Sequence, residues 1–143
     1  MATERVLLVD DEVEFLAALA ERLRARGLEV DVATNGEEGV AKVRERTFDA
    51  VVLDYAMPGL DGIETLKAMR AHDPSIQVML LTGQATIRAA VEATRLGAVD
   101  VLEKPTDVTT LQEKIREARA RYLAAVEKRS QDQVEDILRK RGW

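Results

Sequence analysis

Cysteine is absent from the 143 residues, which excludes a disulfide framework, a thiolate zinc site, an iron–sulfur cluster and a cysteine nucleophile. The one histidine, His72, leaves no imidazole cluster to bind a transition metal. Aromatic residues make up 3% of the chain, so the core is expected to be aliphatic. Long apolar runs are missing too. The first, Val6 to Val9, stops at Asp10 and Asp11, far short of the roughly 20 residues that a membrane helix needs, and it lacks a signal-peptide core. A cytoplasmic protein without membrane insertion is expected. Acids outnumber bases 26 to 21, a net charge of -5, which argues against a polybasic anchor and against direct nucleic-acid binding over the whole surface. The imbalance is uneven: acids dominate up to Pro105, whereas bases outnumber acids from Thr106 onward. The length suits one ordinary domain.

Five short, β-branched, nearly unbroken apolar runs recur: Val6 to Val9, Val30 to Ala33, Ala50 to Leu53, Val78 to Leu81 and the weaker Val99 to Leu102. Runs without alternation suit strands buried on both faces, as in a parallel sheet. Between them lie helical patterns long enough for crossovers. The first covers Val13 to Arg26, with Leu16, Leu19, Ala20 and Leu23 on one face and a stop at Gly27. The second covers about Glu37 to Arg46. The third follows Gly62 and ends before Asp73-Pro74, the fourth covers about Thr86 to Leu96 with Gly97 as its stop, and the fifth begins after Lys104-Pro105. Five successive β-α units predict a doubly wound α/β sandwich. Right-handed crossovers then bring every strand's carboxyl end to one edge of the sheet, where ligands bind in such folds.

The residues expected at that edge are Asp10, Asp11 and Glu12 after the first strand, Asp54 after the third, Thr82 and Gly83 after the fourth, and Glu103, Lys104 and Pro105 after the fifth. A lone aspartate after a strand is commonly a helix cap. Several carboxylates converging on one edge repel, at about 4 kcal/mol for unit charges ~4 Å apart at an effective dielectric near 20, and so want a cation. With oxygen ligands only, the natural ion is Mg²⁺, which characteristically pairs one or two carboxylates with a phosphate and waters. The Thr82 hydroxyl and the Lys104 ammonium could hold phosphoryl oxygens, which points to phosphoryl transfer. No Gly-x4-Gly-Lys-Ser/Thr pattern occurs, so nucleotide binding is not indicated. Serine is scarce, which leaves a carboxylate as the candidate nucleophile, and Asp54 is the central one.

These residues carry a resemblance. Leu8-Val9-Asp10-Asp11-Glu12, Leu53-Asp54-Tyr55-Ala56-Met57-Pro58-Gly59 with Asp61-Gly62, Thr82-Gly83, and Gly97-Ala98 leading to Lys104-Pro105 occur in order at compatible spacings. Over residues 4 to 121 the sequence closely resembles the receiver domain of bacterial two-component response regulators. The resemblance implies a flavodoxin-like sheet of order 2-1-3-4-5 with helices on both faces. It implies that Asp54 is the phospho-acceptor, taking the phosphoryl group from a sensor histidine kinase or a phosphotransfer protein. Asp11, Asp54 and the backbone carbonyl of Ala56 would coordinate Mg²⁺, with Asp10 orienting a metal-bound water. Thr82 and Lys104 would hold the phosphoryl group, and the Lys104-Pro105 bond is expected to be cis. Such a domain catalyses its own phosphorylation and dephosphorylation and is not a conventional enzyme. A non-phosphorylated interaction module with the same fold is the alternative. An aspartyl-phosphate hydrolase is disfavoured, since Ala56 stands where that family wants a second acid.

Three positions depart from the pattern or tune it. Val101 stands where the family usually has Tyr or Phe, so output without the aromatic switch is expected. Ala56 and Gln84 occupy the positions that set phosphoryl lifetime. The stretch from Leu81 to Ala98 most resembles receivers of sigma-54-dependent activators, so the chain is either a stand-alone regulator or a fragment of a transcriptional activator.

Residues 122–143 are expected to form a helical extension beyond a receiver domain of residues 1–121. Leu111, Ile115, Ala118, Tyr122 and Ala125 are spaced four, three, four, three. A helix from Val108 to Arg129 would span about 33 Å and overshoot the domain. Ser130-Gln131-Asp132-Gln133 forms a capping box before Val134, Ile137 and Leu138, which predicts a second helix there. That helix either folds back, or the long helix pairs with a second copy as a homodimer through the C-terminal helices. Arg139-Lys140-Arg141 reads as a solvated helix end.

Overall fold

The computed structural model describes residues 3–57, 61–83, 87–104 and 106–142. Strands β1 (Arg5–Val9), β2 (Glu29–Ala33), β3 (Ala50–Asp54), β4 (Val78–Thr82) and β5 (Asp100–Glu103) alternate with helices α1 (Val13–Ala25), α2 (Gly36–Glu45), α3 (Gly62–His72), α4 (Ile87–Arg95) and α5 (Val108–Lys140). The sheet is parallel with order β2-β1-β3-β4-β5, the doubly wound flavodoxin-like arrangement. In the central strands β3 and β4 every residue is buried, and in β1 only Arg5 is exposed. This is why their sequences read as continuous apolar runs. The edge strands β2 and β5 are half-buried.

Alternate residues of each central strand feed two separate cores. Leu7, Val9, Val51, Leu53, Val78 and Leu80 pack with Val40, Val43, Leu66 and Met69 beneath α2 and α3, where Ala93 of α4 joins them. Val6, Leu8, Ala50, Val52, Met79 and Leu81 pack with Leu16, Leu19, Leu23, Leu111, Ile115 and Ala118 beneath α1 and α5. Local signals set the helix starts. Asn35 and Asp61 occupy the N-caps of α2 and α3, their side chains accepting from the Glu38 and Glu64 amides at 2.7 and 2.9 Å. Gly97, at φ 98°, takes the left-handed turn that follows α4.

Helix α5 corrects one expectation. It runs unbroken through Ser130 to Lys140, about 50 Å at ~1.5 Å per residue, and residues 130–133 do not start a second helix. No Gly or Pro stands between residues 106 and 141 to end the helix, and Asp136 pairs with Lys140 at 2.9 Å one turn on, supporting the stretch after Ser130. The overhang does not fold back. Its first part is tied to the turn after α3: the Tyr122 hydroxyl donates to Asp73 at 3.0 Å, and Arg129 lies 3.6 Å from the same carboxylate. From Glu127 to Gly142 every residue is exposed. Among the described residues no helix is long and apolar enough to cross a membrane.

Candidate phosphoryl site

The carboxyl ends of β1, β3, β4 and β5 meet at one edge of the sheet, and with them the residues expected from sequence. Asp10, Asp54 and Thr82 are buried there, at 4%, 4% and 2% exposure. Register explains the meeting. Val9 is level with Leu53, Asp54 with Leu81, and Thr82 with Glu103, so the polar residues at these strand ends fall within about one residue of a common level. Lys104 follows β5, its amide donating to the Thr82 carbonyl at 2.7 Å, and its side chain reaches back over the edge. The ammonium lies 2.7 Å from Asp10, 3.2 Å from Glu12 and 3.7 Å from Asp54. A cleft of about 400 Å³ opens above them, lined by Glu12, Asp54, Tyr55, Ala56, Thr82, Gly83 and Lys104.

One glycine makes this edge possible. Gly62 opens α3, its amide donates to the Tyr55 carbonyl at 3.1 Å, and a Cβ there would sit 2.7 Å from the Asp54 carbonyl oxygen and from the Tyr55 Cα. Only a residue without a side chain lets α3 start this close to the segment after β3.

The electrostatics are strained on the acidic side. Burial, and then the neighbouring Asp10 charge, push the Asp54 carboxyl up to about 7, against the pull of Lys104 and of the Ala56 amide. Burial alone would push Lys104 down, but the hydrogen bond and charge of Asp10, and then the Asp54 charge, raise it instead. One ammonium therefore serves several carboxylates, and the pocket has room and charge for a further cation. The donor set fits Mg²⁺: carboxylate oxygens of Asp10, Glu12 and Asp54 come within 4.8 Å of one another.

Asp11, expected as a ligand, is exposed and is not one of the three carboxylates that come within 4.8 Å of one another. Glu12 takes a place in the tight acidic group that the sequence reading did not assign to it. The exposed Ala56 donates its amide to Asp54 at 3.4 Å, alongside its expected carbonyl role. Val101 is half-buried against the core beneath α2, α3 and α4. His72 is the last residue of α3, at the end away from this edge. Gln84 and Pro105, and with Pro105 the expected cis bond, lie outside the described residues, as do Pro58 and Gly59. Phe15 was missed altogether: its ring centroid lies 4.6 Å from the Lys104 ammonium. Its only signal in the sequence is a position three residues after Glu12, one helical turn along the same face.

Comparison with known proteins agrees with this geometry. The family described as the response regulator receiver domain matches residues 6–116. The transcriptional regulatory protein ZraR of Klebsiella oxytoca is 43% identical over 115 residues, covering 80% of this chain and 26% of the relative. The regulatory protein AtoC of Escherichia coli is 38% identical over 110 residues, 77% of this chain and 24% of the relative. The chain thus spans about a quarter of the length of these curated relatives. Among solved structures, a CheY-like receiver domain protein from Methanospirillum hungatei superposes with a TM-score of 0.81 at 28% identity, covering 87% of this chain and 99% of that one. NtrX from Brucella abortus, solved in complex with ATP, gives a TM-score of 0.81 at 30% identity, covering 88% of this chain and 29% of that one. With a buried aspartate sharing one cleft with a threonine and a lysine at the edge of a 2-1-3-4-5 sheet, the chain belongs to the response regulator receiver domain family of two-component systems.

Proposed function

We propose that Asp54 accepts a phosphoryl group from the phosphohistidine of a sensor histidine kinase or phosphotransfer protein, and that the resulting charge switches the binding of a downstream protein partner. The observation that carries this reading is the position of Asp54: buried at the end of a central strand, 3.7 Å from Lys104, and lining the same cleft as Thr82. A carboxylate oxygen of Asp54 attacks phosphorus, the phosphorus–nitrogen bond breaks, and the electron pair leaves with the imidazole. Lys104 offsets the negative charge that gathers on the phosphoryl oxygens, and the Thr82 hydroxyl donates to one of them. Asp10, Asp11, Asp54 and the Ala56 carbonyl would hold Mg²⁺, which neutralises the charge between acceptor and donor. The same residues catalyse the later hydrolysis, and the residue types at positions 56 and 84, Ala and Gln, tune its rate. Output proceeds without an aromatic ring at position 101, since valine has no ring to turn inward.

Incubation with acetyl phosphate and Mg²⁺ tests the reading. The intact mass should gain one alkali-labile phosphoryl group, and Asp54→Ala should abolish the gain. No gain, or a gain that survives the substitution, would refute it.

A second reading concerns the extension at residues 122–143, distinct from the receiver body at 1–121. Leu123, Val134, Ile137 and Leu138 stand 54%, 56%, 52% and 38% exposed along one stripe of α5. That stripe favours a homodimer through the C-terminal helices. The similarity to ZraR and AtoC over a quarter of their length further supports reading the chain as the receiver part of a transcriptional activator, working in the cytoplasm.

A further inference from the structure

The ammonium of Lys104 is held by more than its family partners. Its side chain is only 11% exposed, and three carboxylates and one ring surround it. Asp10, at 2.7 Å, is fixed in the strand-end layer. Glu12, at 3.2 Å, is 63% exposed and borders solvent. Glu12 occupies the N-cap position of α1, yet its side chain makes no capping hydrogen bond and spends its charge on Lys104 instead. Phe15 is half-buried and packs against the core beneath α1 and α5, with the ammonium above its ring.

A cation over a ring face gains from the ring quadrupole without using its N–H donors, which stay free for oxygens. A carboxylate, by contrast, competes for those donors with any phosphoryl oxygen that enters the cleft. The two groups, one turn apart on α1, therefore act on Lys104 in opposite senses. We propose that Glu12 and Phe15 are positioning residues that form a two-part clamp on Lys104. The ring supports the ammonium whether or not Asp54 is modified, and the Glu12 carboxylate holds it back until the phosphoryl position is filled. The clamp sets how tightly the pocket takes a phosphoryl group. It rests on the reading of Asp54 as the acceptor.

Beryllofluoride, which stands in for the phosphoryl group on a carboxylate, probes the clamp through its affinity at fixed Mg²⁺, measured by fluorine NMR for Glu12→Gln and Phe15→Leu. Each variant is made with Lys104 present and in the Lys104→Met background. With Lys104 present, Glu12→Gln should tighten binding about threefold more than it does in the Lys104→Met background. Phe15→Leu should weaken binding about threefold with Lys104 present and leave it unchanged without, and Phe15→Tyr, which keeps the ring, should restore wild-type affinity. Shifts of equal size in the two backgrounds, or no rescue by tyrosine, would overturn the clamp while leaving Asp54 as acceptor intact. Failure of the unsubstituted protein to bind beryllofluoride would overturn both.

Discussion

Burial takes Asp54 out of water, and Asp10 places a second negative charge beside it. The folded protein therefore holds a proton at Asp54 up to about pH 7, whereas the unfolded chain releases it near 3.8. Between those values the folded state binds more protons than the unfolded state, so stability falls as pH rises. The contribution is complete below about pH 4, and the full cost of the charged group is present above about pH 7. Asp54→Asn removes that cost with little change in shape. In metal-free buffer at pH 8 it should melt about 2–5 °C above the wild type, with the advantage shrinking on acidification and gone near pH 4. A variant that melts below the wild type at pH 8, or whose advantage does not depend on pH, would contradict this origin of the shift. At this scale the sequence was partly legible. Asp10, Asp54, Thr82 and Lys104 could be placed because the first three directly follow an apolar run and Lys104 stands one residue beyond Glu103 after the last, and the run's end is where the sheet's edge must be. The part of Glu12 in the acidic group was hidden because its side-chain direction depends on how α1 leaves β1. The ring of Phe15 reads as ordinary core from its spacing, and its contact with Lys104 exists only once β5 has brought that residue 89 positions away back to α1.

Elements were legible where burial writes itself into a continuous pattern. All five strands fall within about a residue or two of the apolar runs, because residues buried on both faces leave no other composition. The start of α3 depends on a finer feature, the missing side chain at Gly62. Gly62→Ala would place a methyl group 2.7 Å from the Asp54 carbonyl oxygen and from the Tyr55 Cα. Backbone cannot yield as a flexible side chain would, so the segment after β3 must shift. The variant should lose about 1–3 kcal/mol in denaturant unfolding and phosphorylate more slowly. Unchanged stability and rate would mean that the close approach is not required. The course of α5 was the element least legible. A capping box signals a helix start only if the chain before it leaves helical geometry, and nothing between Tyr122 and Ser130 makes it do so. The bonds from Tyr122 and Arg129 to Asp73 come from a turn distant in sequence, and no local pattern announces them.

At the scale of the whole molecule, two cores on either side of a sheet present one acidic edge, while a long helix leaves the opposite end carrying an unpartnered apolar stripe. Ile137→Glu places a charge in that stripe far from the phosphoryl site. The wild type should sediment as a dimer at tens of micromolar, and the variant as a monomer with unchanged Mg²⁺ affinity; a monomeric wild type would contradict the pairing of C-terminal helices. The central claim, that this edge exists to carry a phosphoryl group on Asp54, has a direct chemical test. Borohydride reduces an aspartyl phosphate to homoserine, so treatment of the acetyl phosphate-modified protein followed by peptide mapping reads out the acceptor. Homoserine at position 54 alone is predicted. Homoserine at Asp10 or Asp11, or none anywhere after incubation with Mg²⁺, would contradict the account.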